Sequence, residues 1–353
     1  MKRKNILTVA ACGIFVLAFS LLCFFAPKET YSESERRVLA KFPQISWDSI
    51  ASGAFSRDFE SYATDTFPAR DTWRSIKTYT RLGLFRQKDN NEIFLAEGHI
   101  SKLEYPMNTA MLDHAISLFT QIKERYLGDN EVYFAMIPDK NKDIAVLKMD
   151  YAAFEEYMAA GLDFATTISI SHLLTTEDYY YTDTHWRQEK ITDVAQHLAA
   201  AMGTALPGEY DQVVLDTPFY GVYVGQAALP CEPDSIVYLT NDTIEGFKVE
   251  GAQAVYDLSK ADSRDPYELF LSGNQPIVKV TNPQNPQGKR LILFRDSFGS
   301  SIAPLLAQGY GEVVLVDLRY INSQLLDQYV DFENADVLFL YSTLLLNDSL
   351  SMK

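Results

Sequence analysis

The chain opens with a long apolar run. Residues Ile6 to Phe25 are uncharged and follow the basic triplet Lys2-Arg-Lys4. As a helix, this run would rise about 30 Å, the thickness of the hydrocarbon core of a bilayer. It is longer than a signal-peptide core and no Ala-x-Ala site follows it, which predicts an uncleaved anchor over residues 1–25. Basic flanks stay cytoplasmic, so the remaining chain is expected outside; secretion after signal cleavage is the alternative.

Residues 26–90 have a different pattern. They are polar and aromatic, and rich in Arg and Asp. Phe55-Ser-Arg-Asp-Phe59 and Phe67-Pro-Ala-Arg70 have the spacing of short helices. The segment has no Gly/Ser or Pro-rich bias, so it is predicted to be a membrane-proximal helical lead-in rather than a flexible linker.

From Asn91 onward, short apolar runs alternate with amphipathic segments. Helices are predicted from Thr109 to Tyr126 and from Ile191 to Met202, where apolar residues recur at helical spacing. Such alternation predicts an α/β domain over residues 91–353, with a mainly parallel sheet covered on both faces. Residues 208–282 contain more Gly, Pro, Tyr and Thr, which indicates a β-rich insertion. The strand-length apolar runs are Glu92–Leu95, Val132–Ile137, Leu291–Phe294, Val313–Val316 and Val337–Leu340.

Composition narrows the possible classes of function. The 353 residues are 47% hydrophobic and carry a net charge of -16, with no long basic run after the N-terminus. Binding to nucleic acid phosphates therefore has no electrostatic support. Cys12 and Cys23 lie in the anchor and leave only Cys231 outside it, so stability must come from the core rather than from a disulfide.

Ser297 is the first candidate for chemistry. The segment Leu291–Gly299 has the pattern of a strand followed by a tight polar turn, and helical spacing resumes after it. Open α/β sheets bind ligands outside the carboxyl ends of their strands, and a helix N-terminus offers N–H groups to a developing oxyanion. The alternative is that Ser297 or Asp296 only caps the helix.

A serine nucleophile needs a base, and one histidine has a suitable neighbour. Asp183 precedes His185 by two residues, and side chains at i and i+2 of an extended stretch project to the same side. The alternative is that Asp183 or Thr184 caps a helix and His185 is incidental. No second His or Cys stands at ligand spacing, so neither a metal nor a cofactor is predicted. The five histidines are His99, His114, His172, His185 and His197.

At these residues the sequence resembles the family named for its Asp-His-His-Trp motif and, more broadly, the SGNH-like domains of the alginate O-acetylation proteins. The motif here is Asp183-Thr-His-Trp186, which departs at its second residue, and Arg295 replaces the Gly of the Gly-Asp-Ser signature. The Asp-x-His pair precedes the serine, as in those relatives and unlike ordinary SGNH hydrolases. The segments that carry the resemblance are Ser34–Arg37, Phe55–Arg74, Asp183–Trp186, Arg295–Gly299 and Val316–Arg319.

The resemblance implies both a fold and an activity. The fold would be a three-layer SGNH-like sandwich, and the activity an extracytoplasmic O-acetyltransferase or acetylesterase acting on a cell-envelope or secreted polysaccharide. Ser297 would take the acetyl group, His185 would transfer protons and Asp183 would orient His185. The resemblance further implies a membrane-bound O-acyltransferase as a partner.

The sequence offers several candidates for the oxyanion hole and for the substrate contacts. The Ser297 N–H is the first candidate for the oxyanion hole, followed by Gly273 and Asn274, which could equally form a plain hairpin turn. Tyr341 ends a predicted strand and is a candidate substrate contact. Arg319, also after a strand, could bind an anionic sugar or pair with a carboxylate.

Two hypotheses of a non-catalytic protein compete with the hypothesis of an enzyme. One is an inactive glycan-binding or assembly protein of the cell envelope, and the other is a sporulation or cell-wall structural protein. The presence of Asp183, His185 and Ser297 together favours the enzyme, because a binding module does not need all three.

Overall fold

The computed structural model describes residues 2–25, 27–32, 34–35, 37–145 and 147–353. Arg36 of the Ser34–Arg37 motif and the first residue of the predicted anchor lie outside these ranges. The chain forms two compact units, Met1–Asn91 with Val224–Cys231 and Glu92–Tyr223 with Glu232–Lys353. The division into anchor, lead-in and catalytic domain stays a prediction.

The elements follow the hydrophobic pattern closely. The predicted helix from Thr109 is α-helical to Ile122 and continues as a π-helical turn, and the predicted 191–202 helix spans Thr192–Ala201. The helices are α1 (Lys2–Phe25), α2 (Trp47–Ala51), α3 (Ala54–Asp65), α4 (Arg70–Thr78), α5 (Thr109–Ile122), α6 (Asn141–Ile144), α7 (Tyr151–Gly161), α8 (Thr192–Ala201), α9 (Val222–Ala227), α10 (Asp242–Glu245), α11 (Phe298–Leu306) and α12 (Thr343–Leu346). The strands are β1 (Tyr31–Ser32), β2 (Arg37–Val38), β3 (Ile93–Ala96), β4 (His99–Lys102), β5 (Val132–Ile137), β6 (Thr166–Thr167), β7 (Asp211–Phe219), β8 (Asp234–Thr240), β9 (Lys248–Glu250), β10 (Ile277–Thr281), β11 (Arg290–Arg295), β12 (Glu312–Val316) and β13 (Ala335–Ser342).

The first unit contains α1 and the short helices after it. The segment Lys4–Phe25 of α1 is long and apolar enough to cross a membrane, with a mean hydropathy of 2.6, and none of that window is buried. Strands β1 and β2 pair antiparallel. Asp65 at the end of α3 accepts hydrogen bonds from the Arg37 guanidinium and from the Ala40 N–H, which ties α3 to the segment before it.

The second unit is built on a seven-stranded sheet in the order β6-β5-β13-β11-β12-β10-β9. The five strands from β6 to β12 are parallel, and β10 and β9 add an antiparallel edge. The predicted mainly parallel sheet is confirmed. Strands β7 and β8 form a separate hairpin, whereas β9 and β10 of the predicted 208–282 insertion join the central sheet.

The core lies on both faces of this sheet. Successive residues of β11 point to opposite sides, so Leu291 and Leu293 pack with α8 and α11 while Ile292 and Phe294 pack with α5 and α7. All four side chains are fully buried. Burial of each side chain of this size contributes roughly 1.5–3 kcal/mol, so the central strand is fixed firmly and with it the residues at its carboxyl end. The result is the predicted three-layer α/β sandwich.

Candidate active site

Ser297 lies where β11 ends and α11 begins. It is the N-cap residue of α11, and β11 is held between β13 and β12. The preceding Asp296 fixes the turn, because its carboxylate accepts from the Phe298 N–H at 3.0 Å and from the Ser342 N–H and hydroxyl at 2.9 and 2.6 Å. The serine is thereby held at the carboxyl edge of the sheet, beside the positive end of the helix dipole.

The structure brings the three predicted catalytic residues together. His185 Nε2 lies 2.7 Å from Ser297 Oγ, and His185 Nδ1 lies 2.6 Å from Asp183 Oδ1. The His185 N–H also donates to Asp183 Oδ1 at 3.1 Å. With a proton on Nδ1, the imidazole can donate to Asp183 and accept from the serine hydroxyl, which is the arrangement that nucleophilic catalysis by serine requires.

Asp183 is ionised in this setting. Its carboxylate is buried, and burial alone would raise its pKa. The electrostatic attraction of His185, the hydrogen bond from its ring, and the N–H groups of Val222 and His185 outweigh burial and lower the pKa of Asp183 below its ordinary value. Val222 donates to Asp183 Oδ2 at 2.8 Å. The carboxylate can therefore orient His185 and stabilise an imidazolium.

A buried lysine holds the loop that carries Asp183. Lys140 follows β5, and its ammonium donates to the carbonyls of Tyr180, Tyr181 and Asp183 at 2.9, 3.2 and 2.9 Å. The side chain is only 2% exposed. Burial lowers the pKa of Lys140 to about 7, against the opposing effect of the carboxylates of Asp183 and its neighbours. Lys140 was not among the predicted site residues, and its one local signal in the sequence is its position three residues after the Val132–Ile137 strand.

A second set of contacts holds the same loop from another direction. Asp234 accepts from the N–H groups of Tyr181 and Thr182 at 2.9 and 2.8 Å and from the Thr182 hydroxyl. Gly221 donates to the Thr182 hydroxyl at 2.9 Å. A Cβ at Gly221 would lie 2.4 Å from both Asp183 Cβ and the Thr182 carbonyl oxygen, so only glycine fits there.

Aromatic side chains position the histidine and the serine helix. The Tyr267 ring stacks on His185, with ring centroids 3.9 Å apart and planes inclined by 13°. Trp186 is fully buried, and its Nε1–H donates to Phe298 O and Ser301 Oγ of α11 at 3.1 and 2.9 Å. The tryptophan of the motif thus links the histidine loop to the helix that follows Ser297.

Arg295, which stands where related signatures have Gly, is fully buried beneath the turn. Its Nη1 donates to the Asp296 carbonyl at 3.3 Å and lies 3.5 Å from Asp317 Oδ2. Its Nε and Nη2 have no hydrogen-bond partner among the described residues. A Cβ at Gly299 would lie 2.5 Å from Arg295 Cβ, so the glycine four residues later makes room for this side chain.

The remaining site candidates are Gly273, Asn274, Arg319 and Tyr341. Gly273 has φ of 80° and its N–H is already bonded to Phe270 O at 3.2 Å. Asn274 Oδ1 accepts from Arg319 Nη2 at 3.4 Å, and Arg319 also pairs with Asp317 at 2.6 Å. Arg319 therefore pairs with a carboxylate, which was the alternative to binding an anionic sugar.

Tyr341 lies in the core rather than at the surface of the site. Its side chain has no exposed area and stacks on Phe119 of α5, with ring centroids 5.2 Å apart. Its hydroxyl has no hydrogen-bond partner among the described residues. This position does not fit the substrate-facing role expected of a residue at a strand end, because the ring points to the α5 face of the sheet.

No protein-family model and no curated protein sequence matches the chain. The structure is similar to that of a DHHW family protein from Eubacterium siraeum, with a TM-score of 0.55 and 19% identity over 73% of this chain and 93% of the other. It is also similar to Bacillus cereus PatB1, with a TM-score of 0.57 and 17% identity over 73% and 97%. The structure of PatB1 with a sulfonyl adduct matches with a TM-score of 0.56 and 18% identity, over 72% of this chain and 95% of the other. At such identities the likeness is one of fold, and at that level the predicted resemblance is confirmed.

Proposed function

We propose that the protein is a serine-dependent O-acetyltransferase or acetylesterase that acts on a cell-envelope or secreted polysaccharide. The observation that carries the proposal is the continuous hydrogen-bonded path from Asp183 through His185 to Ser297, at 2.6 and 2.7 Å. His185 and Ser297, which this path joins, are 112 residues apart along the chain. A binding module has no use for such an arrangement.

In the first half-reaction, Ser297 takes the acetyl group. Ser297 Oγ attacks the carbonyl carbon of the donor ester while His185 Nε2 accepts the hydroxyl proton. The bond between the carbonyl and the leaving oxygen then breaks, and the imidazolium returns the proton to that oxygen. Asp183 holds the Nδ1–H and stabilises the imidazolium. The acetyl donor in this proposal is supplied by a membrane-bound acyltransferase partner.

In the second half-reaction, the acetyl group leaves the serine. His185 removes the proton from a sugar hydroxyl or a water molecule, whose oxygen attacks the ester carbonyl, and the Ser297 oxygen leaves with the proton that His185 returns. Attack by a sugar makes the protein a transferase, and attack by water makes it an esterase. In both half-reactions the oxyanion lies at the N-terminus of α11, beside the Ser297 N–H. The next N–H, that of Phe298, already donates to Asp296.

The fold relative adds a chemical probe. A sulfonyl adduct forms when a nucleophile displaces the leaving group of a sulfonylating reagent, and PatB1 is known with such an adduct. We expect a sulfonyl fluoride to add one sulfonyl group to Ser297, detected as a mass increase on the peptide that contains it. Retention of the unmodified mass in a folded sample would count against an activated serine.

The deciding experiment is hydrolysis of a chromogenic acetyl ester by the full-length protein in detergent. Ser297→Ala and His185→Ala are each expected to reduce kcat at least about 10³-fold, because either change removes the nucleophile or its base. Ser117→Ala and His172→Ala are matched controls at exposed positions outside the site, and they should keep full activity.

The same experiment distinguishes the enzyme from the non-catalytic hypotheses. Activity that survives in both site variants, or that is absent in a folded wild type, would favour the glycan-binding or assembly protein. Where hydrolysis is serine-dependent, adding candidate polysaccharides tests for transfer, because a true acceptor gains acetyl groups at the expense of free acetate.

We also propose that α1 anchors the protein with its N-terminus in the cytoplasm and the α/β unit outside. The support is the apolar Lys4–Phe25 segment with basic residues before it. Protease added outside intact cells should digest the α/β unit while a tag at the N-terminus stays protected. Protection of both ends would contradict this orientation.

A further inference from the structure

The first unit carries an aromatic surface that catalysis does not use. Five side chains from α3, α4 and the adjoining loops form this aromatic face: Phe42, Phe59, Tyr62, Phe67 and Trp73. They contact one another at ring-centroid distances such as 5.3 Å for Phe42 and Tyr62 and 6.1 Å for Phe42 and Phe59. Phe42 is 54% exposed and Trp73 is 45% exposed. Side chains of this kind do not normally remain in water as a cluster.

The aromatic face lies against α1. Phe19 stacks on Phe67 with ring centroids 6.0 Å apart and lies 6.3 Å from the Trp73 ring. Between α1 and the face runs an open apolar groove of about 880 Å³, whose α1 wall extends from Phe15 to Phe24. The groove is large enough for a small organic molecule, and its walls are almost entirely apolar.

The position along α1 identifies the surroundings of the groove. Phe19 lies about 9 Å and Phe15 about 15 Å from Phe25 along the helix axis, since each residue rises 1.5 Å. In a helix that spans about 30 Å of hydrocarbon, these residues belong to the half next to the extracytoplasmic surface. A groove at this level opens into lipid.

The polar groups around the groove fit the same level. Lys28 lies just beyond the anchor, with its ammonium 5.9 Å from the Tyr62 ring centroid, as expected for a basic residue beside a membrane-interface tyrosine. Helix α3 is amphipathic, with Phe59 on the aromatic face and the exposed Arg57 on the opposite side.

We propose that acyl chains of the outer leaflet fill this groove, so that the aromatic face seats the first unit in the membrane interface. This inference depends on the proposed anchoring by α1 but not on the proposed catalysis. Its consequence is that the first unit is more than a tether, because the lipid contact fixes its depth relative to the bilayer.

Tryptophan fluorescence of the full-length chain in phosphatidylcholine vesicles tests the proposal. Trp47→Phe removes an exposed tryptophan, which leaves Trp73 in the groove and Trp186 fully buried in the other unit. Comparison with the Trp47→Phe/Trp73→Phe variant isolates the emission of Trp73. We expect lipids brominated on their acyl chains to quench most of the Trp73 emission and to leave that of Trp186 unchanged.

The other outcomes overturn the proposal in distinguishable ways. A chain that is washed off the vesicles at alkaline pH is not anchored. A chain that stays with the vesicles, but whose Trp73 emission is unaffected by bromine, is anchored with the groove outside the lipid. Trp73 shielded only at high protein density would mean that a second copy fills the groove. Ester hydrolysis measured on the same vesicles reports catalysis separately.

A matched pair of variants sharpens the test. Phe59→Ser should weaken the aromatic face and increase quenching of Trp73 by aqueous acrylamide, because the lipid seal is broken. Arg57→Ser changes an exposed residue on the opposite side of α3 and should leave acrylamide quenching unchanged. Equal behaviour of the two variants would argue against a lipid-filled groove.

Discussion

The two halves of the candidate site are held in place in different ways. The serine half, Arg295 to Gly299, is a continuous strand, turn and helix, and Asp296 fixes it mainly through a neighbouring residue and Ser342 of the adjacent strand. The histidine half, Tyr180 to Trp186, has no regular strand or helix. Its shape depends on Lys140, Asp234 and the Gly221–Val222 segment, which are distant in sequence. A local motif thus meets a loop whose geometry is imposed by its surroundings.

This difference predicts where the site is fragile. The serine turn is supported by a fully buried strand, so a single polar change there removes one contact among many. The histidine loop relies on a few buried polar groups, and each loss leaves several partners unsatisfied. Substitutions in the supports of the histidine loop should therefore impair catalysis more than comparable changes around the serine.

The largest effect is expected for Asp183→Asn. The variant keeps the size of the side chain but no longer holds the productive tautomer of His185, and kcat should fall about 10⁴-fold. Ester hydrolysis measures the loss, and the exposed Asp216→Asn is the control. Near-normal turnover in Asp183→Asn would show that the carboxylate does not orient the base.

Lys140→Met should come next. It removes the ammonium that donates to three loop carbonyls, although the Tyr181 carbonyl keeps a hydrogen bond from the Ile100 N–H. Each buried group left unsatisfied costs about 1–3 kcal/mol, partly offset by the release of a buried charge. We expect a loss of roughly 3 kcal/mol in the free energy of unfolding, together with lower kcat. Urea unfolding of this variant is compared with that of Lys142→Met, whose ammonium pairs with its neighbour Asp143.

Gly221→Ala tests the packing on the loop. The added methyl group would meet Asp183 and the Thr182 carbonyl at 2.4 Å, so the loop must shift, at a cost of about 1–3 kcal/mol. Because His185 moves with Asp183, kcat should fall more than KM changes. Gly208→Ala is the matched control, since its nearest neighbour would be 3.8 Å away. Equal activity of the two variants would contradict the close packing.

Asp296→Asn tests the serine half with a smaller expected effect. The amide keeps one acceptor oxygen for Ser342 and replaces the other, which accepts from the Phe298 N–H. We expect a loss of about 1 kcal/mol in stability and a smaller fall in kcat than for Asp183→Asn. A larger loss of activity than in Asp183→Asn would reverse the ranking of the two halves.

The effect expected to change activity least is a slope of stability with pH. The pKa of Lys140 is lowered to about 7 from its ordinary value of 10.5, so between these values the unfolded chain holds a proton that the folded chain has released. Its contribution to stability therefore rises with pH across this window and is lost as the pH falls through 7. Lys140→Met should show a flatter stability profile than wild type from pH 7 to about 10. If the stability of the two proteins changed with pH in the same way, the titrating group would not be Lys140.

The candidate site was predictable where the signal was local. The pattern of Leu291–Gly299 indicates a strand, a turn and a helix, and the spacing of Asp183 and His185 indicates a carboxylate beside an imidazole. The supports of the loop were not predictable in this way. Lys140 follows strand β5 and Asp234 begins strand β8, and the sequence does not reveal that their side chains point inward.

The substrate contacts illustrate the same limit. A predicted position at or after the end of a strand made both Tyr341 and Arg319 candidates, yet Arg319 pairs with Asp317 and Tyr341 stacks in the core. The side to which a terminal strand residue points depends on the register and twist of the sheet, which the residue itself does not encode.

The sequence by itself determined the apolar N-terminal helix, the alternation that builds a parallel sheet, and the residue types of the candidate triad, because hydrophobic periodicity and local spacing act over a few residues. Only the tertiary structure decided that His185 meets Ser297 across 112 residues and that Lys140 holds three carbonyls of the histidine loop. These contacts depend on the order of the strands and on the burial of polar groups, which arise only when distant segments pack together.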